Sequence, residues 1–257
     1  MKSHRSRGWQ APRALVLLGL MLLGALLPPA TPGRAASSPT WHAEYFANAT
    51  LSGTPALVRE DAAIDFDWNA GSPAPALPTD LFSARWTRTL TLAAGTYRFV
   101  TYTDDGARLK VDGVTVIDHF VAQSPTEWQA DVTLAAGDHT IVMEYFENTG
   151  DALARLSYNT IQTDVSPGAW KGEYFTNTSL SGAPLLVRGD PTVDFDWADG
   201  SPAPNFPANT FGVRWSRTLT LSAGAYRFAT YTDDGVRLKI DGATVIDKWV
   251  DKPPTYN

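Results

Sequence analysis

Two identical tripeptides, Asp104-Asp105-Gly106 and Asp233-Asp234-Gly235, set adjacent carboxylates inside closely related stretches, TYTDDGARLKVDG and TYTDDGVRLKIDG. Side-by-side carboxylates repel, so each pair is either spread into solvent or neutralised by a cation. A plain turn is the competing reading, because Asp and Gly favour turns and Asp side chains bond nearby backbone N–H groups. A second pairing, Asp65 with Asp67 and its echo Asp194 with Asp196, has the i, i+2 spacing that shares one face of a strand. Such a pair suits glycosidase-like acid/base work. The preferred reading is structural: Phe66 and Trp68 turn into the core and the acids face solvent. Arg85-Trp86 and Arg88, echoed by Arg214-Trp215 and Arg217, read as core tryptophans flanked by solvent-facing arginines. His42 and His119 are replaced by Lys171 and Lys248 in the echo, and His139 stands in a turn. No nucleophile–base constellation, metalloprotease signature or phosphate-cradling glycine loop appears, so catalysis is not expected of this stretch of chain.

The elements around these residues read as strands. TLTL, TYRFVTYT, ARLKV, VTVID, ADVTL and HTIVMEYF alternate apolar with polar residues or are rich in β-branched and aromatic ones. Asp112-Gly113 between two such runs is a two-residue hairpin signal, since a type I′ turn needs positive φ at both positions. GSPAPALPTD cannot be a central strand, because proline lacks the ladder donor. Helical periodicity is not sustained anywhere after the first residues. The expectation is an all-β fold, an antiparallel sandwich or barrel.

The chain repeats itself. With Trp41 aligned to Trp170, WHAEYFANATLSGTPALVR answers to WKGEYFTNTSLSGAPLLVR and IDFDWNAGSPAPALP to VDFDWADGSPAPNFP, without a gap. This is a tandem duplication of a unit of single-domain size. The expected division is a complete copy at 37–160, a polar, Pro/Gly-bearing linker at 161–169, and a second copy at 170–257 that stops where Asn257 answers to Trp128. The sequence is therefore expected to be part of a longer open reading frame.

The N-terminus points to a compartment. Lys2, Arg5, Arg7 and Arg13 precede an apolar run from Ala14 to Leu27, then Pro28-Pro29 and small residues including Gly33 and Ala35. The run is too short for a bilayer span and fits a secretory signal peptide over 1–36. The expected location is secreted, extracellular or at the cell surface, with no membrane insertion once that segment is removed. Its removal takes away five basic residues and no acid, leaving a chain more acidic than the −6 of the whole. Such a surface repels phosphate backbones, which excludes nucleic-acid partners, and it suits hard cations. No cysteine is present, so disulfides and thiolate metal sites are excluded.

At FDW, GSP, RWTRTL, TYTDDG, RLKVDG and VID, and again from the opening EYF to the closing EYFE and LSY, the sequence resembles the PA-14 domain. That family is named after anthrax protective antigen and is shared with yeast flocculins, fungal adhesins and many bacterial glycosidases. The resemblance covers residues 41 to about 158, and 170 to 257 as a shortened copy. It implies a β-sandwich barrel that binds or adheres rather than catalyses. In the sugar-binding fungal members, two consecutive aspartates joined by a cis peptide hold calcium. The resemblance thereby implies Asp104 and Asp105, and Asp233 and Asp234, as calcium ligands. Calcium accepts 6–8 oxygens, so open positions would remain for backbone carbonyls, an asparagine and vicinal sugar hydroxyls. The second fungal loop corresponds to ENTGD, residues 147–151, with Asn148 as the ligand candidate and Glu147 and Asp151 shaping the sugar site. The expected function is a secreted carbohydrate-binding or adhesion module for glycans or cell-surface polysaccharide. The alternatives are structural spacers of a surface protein, or accessory domains of a secreted glycoside hydrolase with its catalytic part beyond residue 257.

Overall fold

The computed structural model describes residues 38–257; the signal-peptide reading of 1–36 lies outside the described residues. Among the described residues, no helix is long and apolar enough to cross a membrane. The first copy has ten strands: β1 (Trp41–Phe46), β2 (Leu57–Asp61), β3 (Asp65–Asn69), β4 (Ser83–Leu92), β5 (Gly95–Asp104), β6 (Gly106–Val111), β7 (Val114–His119), β8 (Thr126–Leu134), β9 (Gly137–Phe146) and β10 (Ala152–Thr160). They form two antiparallel sheets, ordered β2-β1-β4-β9-β6-β7 and β3-β10-β5-β8. The all-β antiparallel expectation holds.

Period-2 alternation builds the core. Along β5, Tyr97, Phe99, Thr101 and Thr103 are buried, while Arg98, Tyr102 and Asp104 on the other face are only partly covered. Trp86, Phe82, Tyr45 and Tyr145 are almost fully buried; Phe66 and Trp68 stack on each other at 4.8 Å and pack against Trp86 and Phe82. Asp65 and Asp67 face outward toward Arg155, at 3.0 and 3.5 Å. The acid/base reading of the DFDW pair is therefore set aside in favour of the structural one. Asp112 and Gly113 close the β6–β7 hairpin with φ of 50° and 79°, as the turn type demands.

A buried carboxylate ties β1, β2 and β4 together. Asp61 Oδ2 accepts the Tyr45 hydroxyl at 2.6 Å and the Trp86 indole N–H at 2.9 Å, and Arg59 Nε donates to Asp61 Oδ1 at 2.7 Å. Burial and the Asp61 carboxylate raise the Tyr45 pKa well beyond the usual phenol range. The second copy repeats the arrangement around Asp190 with Tyr174, Trp215 and Arg188 at 2.6, 2.8 and 2.7 Å.

That second copy contains β11 (Trp170–Phe175), β12 (Leu186–Asp190), β13 (Gly212–Ser216), β14 (Tyr231–Thr232), β15 (Val236–Ile240), β16 (Ala243–Lys248) and β17 (Thr255–Tyr256). The β12-β11-β13 sheet reproduces β2-β1-β4, and β15-β16 reproduces the β6–β7 hairpin. Residues 217–230 carry no strand, and Leu219, Leu221, Tyr226 and Phe228 are exposed. In the first copy the matching stretches pair with β9 and β10, which have no counterpart before Asn257.

The copies are in contact. Arg98 Nη1 donates to the Pro184 carbonyl at 3.0 Å, Asn159 Nδ2 to the Pro204 carbonyl at 3.2 Å, and Val100 packs with Leu185 and Phe206.

Candidate functional site

The Asp104–Asp105 peptide is cis, as is Asp233–Asp234. Asp104 ends β5 with its side chain on the outer face, and Asp105 turns inward and is buried. Gly106 follows because of packing: a Cβ there would lie 2.7 Å from the Val121 backbone nitrogen. That close approach brings the 120–125 segment alongside, so the Gln123 backbone N–H donates to Asp105 Oδ1 at 2.8 Å. The Asn148 backbone N–H donates to Asp105 Oδ2 at 2.7 Å. Asp105 is thus clamped by two loops.

Glu147 completes the group. It is fully buried, and it offers a ligand oxygen together with Asp104 and Asp105, all within 4.8 Å of one another. Its backbone N–H is anchored on the Phe82 carbonyl at 2.9 Å. Its Oε2 lies 3.0 Å from the Tyr145 hydroxyl, which also reaches the Asp104 carbonyl. One phenol proton serves two acceptors there. Glu147 Oε1 is buried without any hydrogen-bond partner. A buried, unpaired carboxylate oxygen is costly unless a proton or a cation meets it. Burial, with Asp105, Asp104 and Asp80 adding repulsion and Tyr145 opposing, pushes the Glu147 pKa up to about 7. Burial, then Asp105 and Asp151, raises that of Asp104. Both shifts come first from burial and then from the neighbouring carboxylates. The donor set is all carboxylate oxygen, which is the chemistry of a hard divalent ion.

The structure places the other sequence-derived candidates differently. The Asn148 side chain is exposed, and its backbone N–H is what holds Asp105. Asp151 is exposed and acts on Asp104 through its charge. Asp233 and Asp234 are exposed, and Asp251 bonds Asp234, which raises the Asp251 pKa. Lys252 stands where the first copy has Gln123 and donates to the Thr232 carbonyl at 2.9 Å.

The family model of the PA14 domain matches residues 37–166 and again 165–256. The chain belongs to the PA14 domain family. The first PA14 match contains the Asp104, Asp105 and Glu147 cluster, and the second contains Asp233 and Asp234. Anti-sigma-I factor RsgI3 of Acetivibrio thermocellus is 33% identical over 227 residues, covering 80% of this chain and 35% of the relative. The chain thus spans about a third of the length of the curated relative it matches. Among solved structures, an anti-sigma factor domain-containing protein is 30% identical, aligned over 86% of this chain and 83% of its own at a TM-score of 0.46. A PA14 sugar-binding domain from an RTX adhesin is 20% identical over 48% of this chain and 90% of its own, at a TM-score of 0.41.

Within the PA14 fold the sequence reading gave one contributor, Glu147, another role and missed a second, Gln123. Glu147 looked like a rim residue, yet it is the third carboxylate of the cluster. The signal available was its place directly after the apolar strand MEYF, where alternation carries it inward from the partly covered Phe146. Gln123 left no signal, since a backbone N–H brought in by a loop has no sequence mark.

Proposed function

We propose that this chain is a secreted, non-catalytic carbohydrate-binding module whose first copy holds calcium through Asp104, Asp105 and Glu147. The observation that carries this reading is Glu147 Oε1, buried without a partner beside two further carboxylates. A divalent cation answers the excess negative charge that no donor in the protein answers. Bound there, calcium would supply a hard centre with coordination positions open to vicinal glycan hydroxyls. The 147–151 loop, fixed by the Asn148 N–H to Asp105 and by the Gly150 N–H to Asp80 Oδ1 at 3.0 Å, forms the rim that would orient such a ligand. Membership of the PA14 family supports carbohydrate recognition. The shared segment of the anti-sigma-I factor is only its matched third, so anti-sigma activity is not carried over.

Calorimetric titration of calcium into chelated protein, wild type and Glu147→Gln, tests the metal. A glycan array probed with and without calcium tests the ligand. Heat of binding that the variant loses, with array signals that need calcium, is the expected result. No heat in the wild type overturns the calcium site. Stabilisation by calcium with an empty array would leave a spacer whose ion only rigidifies it.

A further inference from the structure

The outer face of the β3-β10-β5-β8 sheet carries successive cross-strand rows that do different things. Asp131, Arg98 and Asn159 form one row, and it clamps the second copy through the carbonyls of Pro184 and Pro204. In the next row, Val100 is covered by Leu185 and Phe206. Two residues further along β5 the copies part, leaving an open cleft of about 800 Å³. Its floor is a third row, Glu127, Tyr102, Arg155 and Asp65, in register across four strands. Its facing wall is built by Thr176 and Asn177 of the second copy. Asp104 is two residues beyond Tyr102 on the same face of the same strand, about 7 Å along. The cleft therefore runs toward the carboxylate cluster.

We propose that this cleft between the two copies is a glycan-binding groove, with the first copy as floor and the second as wall, taking a neutral polysaccharide segment. The inference rests on the carbohydrate-binding reading above and extends it to a site that neither copy makes alone. An aromatic ring flanked by planar charged groups is the chemistry that sugars need. The Tyr102 ring offers an apolar face to pyranose C–H groups, and Glu127 and Arg155 offer an acceptor and donors for hydroxyls at either side. The volume suits a ligand site, and domain interfaces are where such sites concentrate. Charge selects against acidic polymers: Asp65 and Glu127 outnumber Arg155 in the lining, on a chain of net charge −6. The copies are held in place by the first two rows, so the groove is formed before any ligand arrives, which lowers the cost of binding.

Affinity electrophoresis of the chain carrying both copies tests this, in gels containing galactomannan, xylan, mixed-linkage β-glucan or dextran, with polygalacturonate as the acidic control. At least one neutral polymer should retard the wild type. Tyr102→Ala should weaken that retardation about tenfold, in calcium and in chelator alike, while leaving calcium-induced stabilisation intact. Thr176→Trp, an exposed wall position, should block the groove without touching the floor, which keeps the test valid if Tyr102→Ala folds poorly. No retardation by any neutral polymer, stronger retardation by polygalacturonate, or retardation unchanged in both variants overturns the proposal. Loss in Asp104→Asn alone would leave the calcium reading standing without the groove. Loss in the cleft variants with Asp104→Asn unaffected would do the reverse.

Discussion

Asp105 Oδ2 accepts the backbone N–H of Asn148 at 2.7 Å, so one buried side chain in the β5–β6 turn fixes the loop that follows β9. Its other oxygen takes the Gln123 N–H at 2.8 Å, so the same residue fixes the segment before β8. Asp105 therefore has a structural duty that does not depend on any ion. Asp105→Ala strands two backbone donors and should destabilise the chain by about 2–4 kcal/mol in chelator, from the usual value of hydrogen bonds to a charged acceptor. Asp104→Asn carries no such duty and should cost far less under the same conditions. Urea denaturation of both variants in chelator checks the contrast, and equal losses would remove the distinction.

Calcium should raise the stability of the wild type by RT ln(1 + [L]/Kd), about 2.7 kcal/mol at a hundredfold excess over Kd. Glu147→Gln and Asp104→Asn should each abolish most of that gain, because each removes one of the three converging carboxylates. Thermal unfolding with millimolar calcium and with chelator gives the comparison. Magnesium should stabilise less, since it demands tighter octahedral geometry and gives up water reluctantly. A calcium response that survives Glu147→Gln would place the ion elsewhere.

How far the sequence foretells this site follows from the kind of contact involved. The strands of the first copy, the Asp112-Gly113 turn and the inward Phe66 and Trp68 are local consequences of alternation and φ preference, and they stand as expected. The twinned Asp-Asp-Gly marked the site because adjacent like charges are conspicuous in a strand-rich sequence. The rest is tertiary. Glu147 joins Asp105 across 42 positions of chain because β9 lies beside β6, and Asn148 contributes through its main chain rather than its amide. Asp61 drew no notice either, since nothing local reveals that Tyr45, Arg59 and Trp86 converge on it. The cleft between the copies depends on how two similar units dock, which their internal patterns do not encode.

The pH response of the metal-free protein follows from Glu147. Its pKa is pushed up to about 7, chiefly by burial, so the native state favours the protonated carboxyl more than the unfolded chain does. The resulting stability is fully present below the ordinary glutamate range and is lost as pH rises through about 7. A proton on Glu147 also lets that residue donate to the Tyr145 hydroxyl while Tyr145 donates to the Asp104 carbonyl. Glu147→Gln should flatten the decline in melting temperature between about pH 4.5 and 7 in chelator. His139 has a raised pKa too, mainly through its hydrogen bond to Asp112, and its contribution also falls as pH rises. Comparing the variant with the wild type across the same window isolates the Glu147 part. Calcium must displace the Glu147 proton, so its affinity should strengthen as pH rises across that window.

Asp61 supplies the strongest test of what holds the first copy together. Its carboxylate is buried and meets three donors at once: the Tyr45 hydroxyl, the Trp86 indole and the Arg59 guanidinium. Removing it leaves a partly buried cation and two buried polar hydrogens without their acceptor, and breaking such a pair typically costs about 3–5 kcal/mol. Asp61→Asn keeps the shape but loses the charge that balances Arg59, so it should fall between wild type and Asp61→Ala. Arg59 also lies over the Tyr45 ring at 4.6 Å, an attraction that survives loss of the carboxylate and limits the damage. The matching Asp190→Ala removes an equivalent knot from the second copy. Denaturant titration followed by tryptophan fluorescence should report both, since Trp86 and Trp215 each donate to the lost oxygen. If Asp61→Ala unfolds at wild-type urea concentration, the buried carboxylate is not a keystone and aromatic packing alone carries the core.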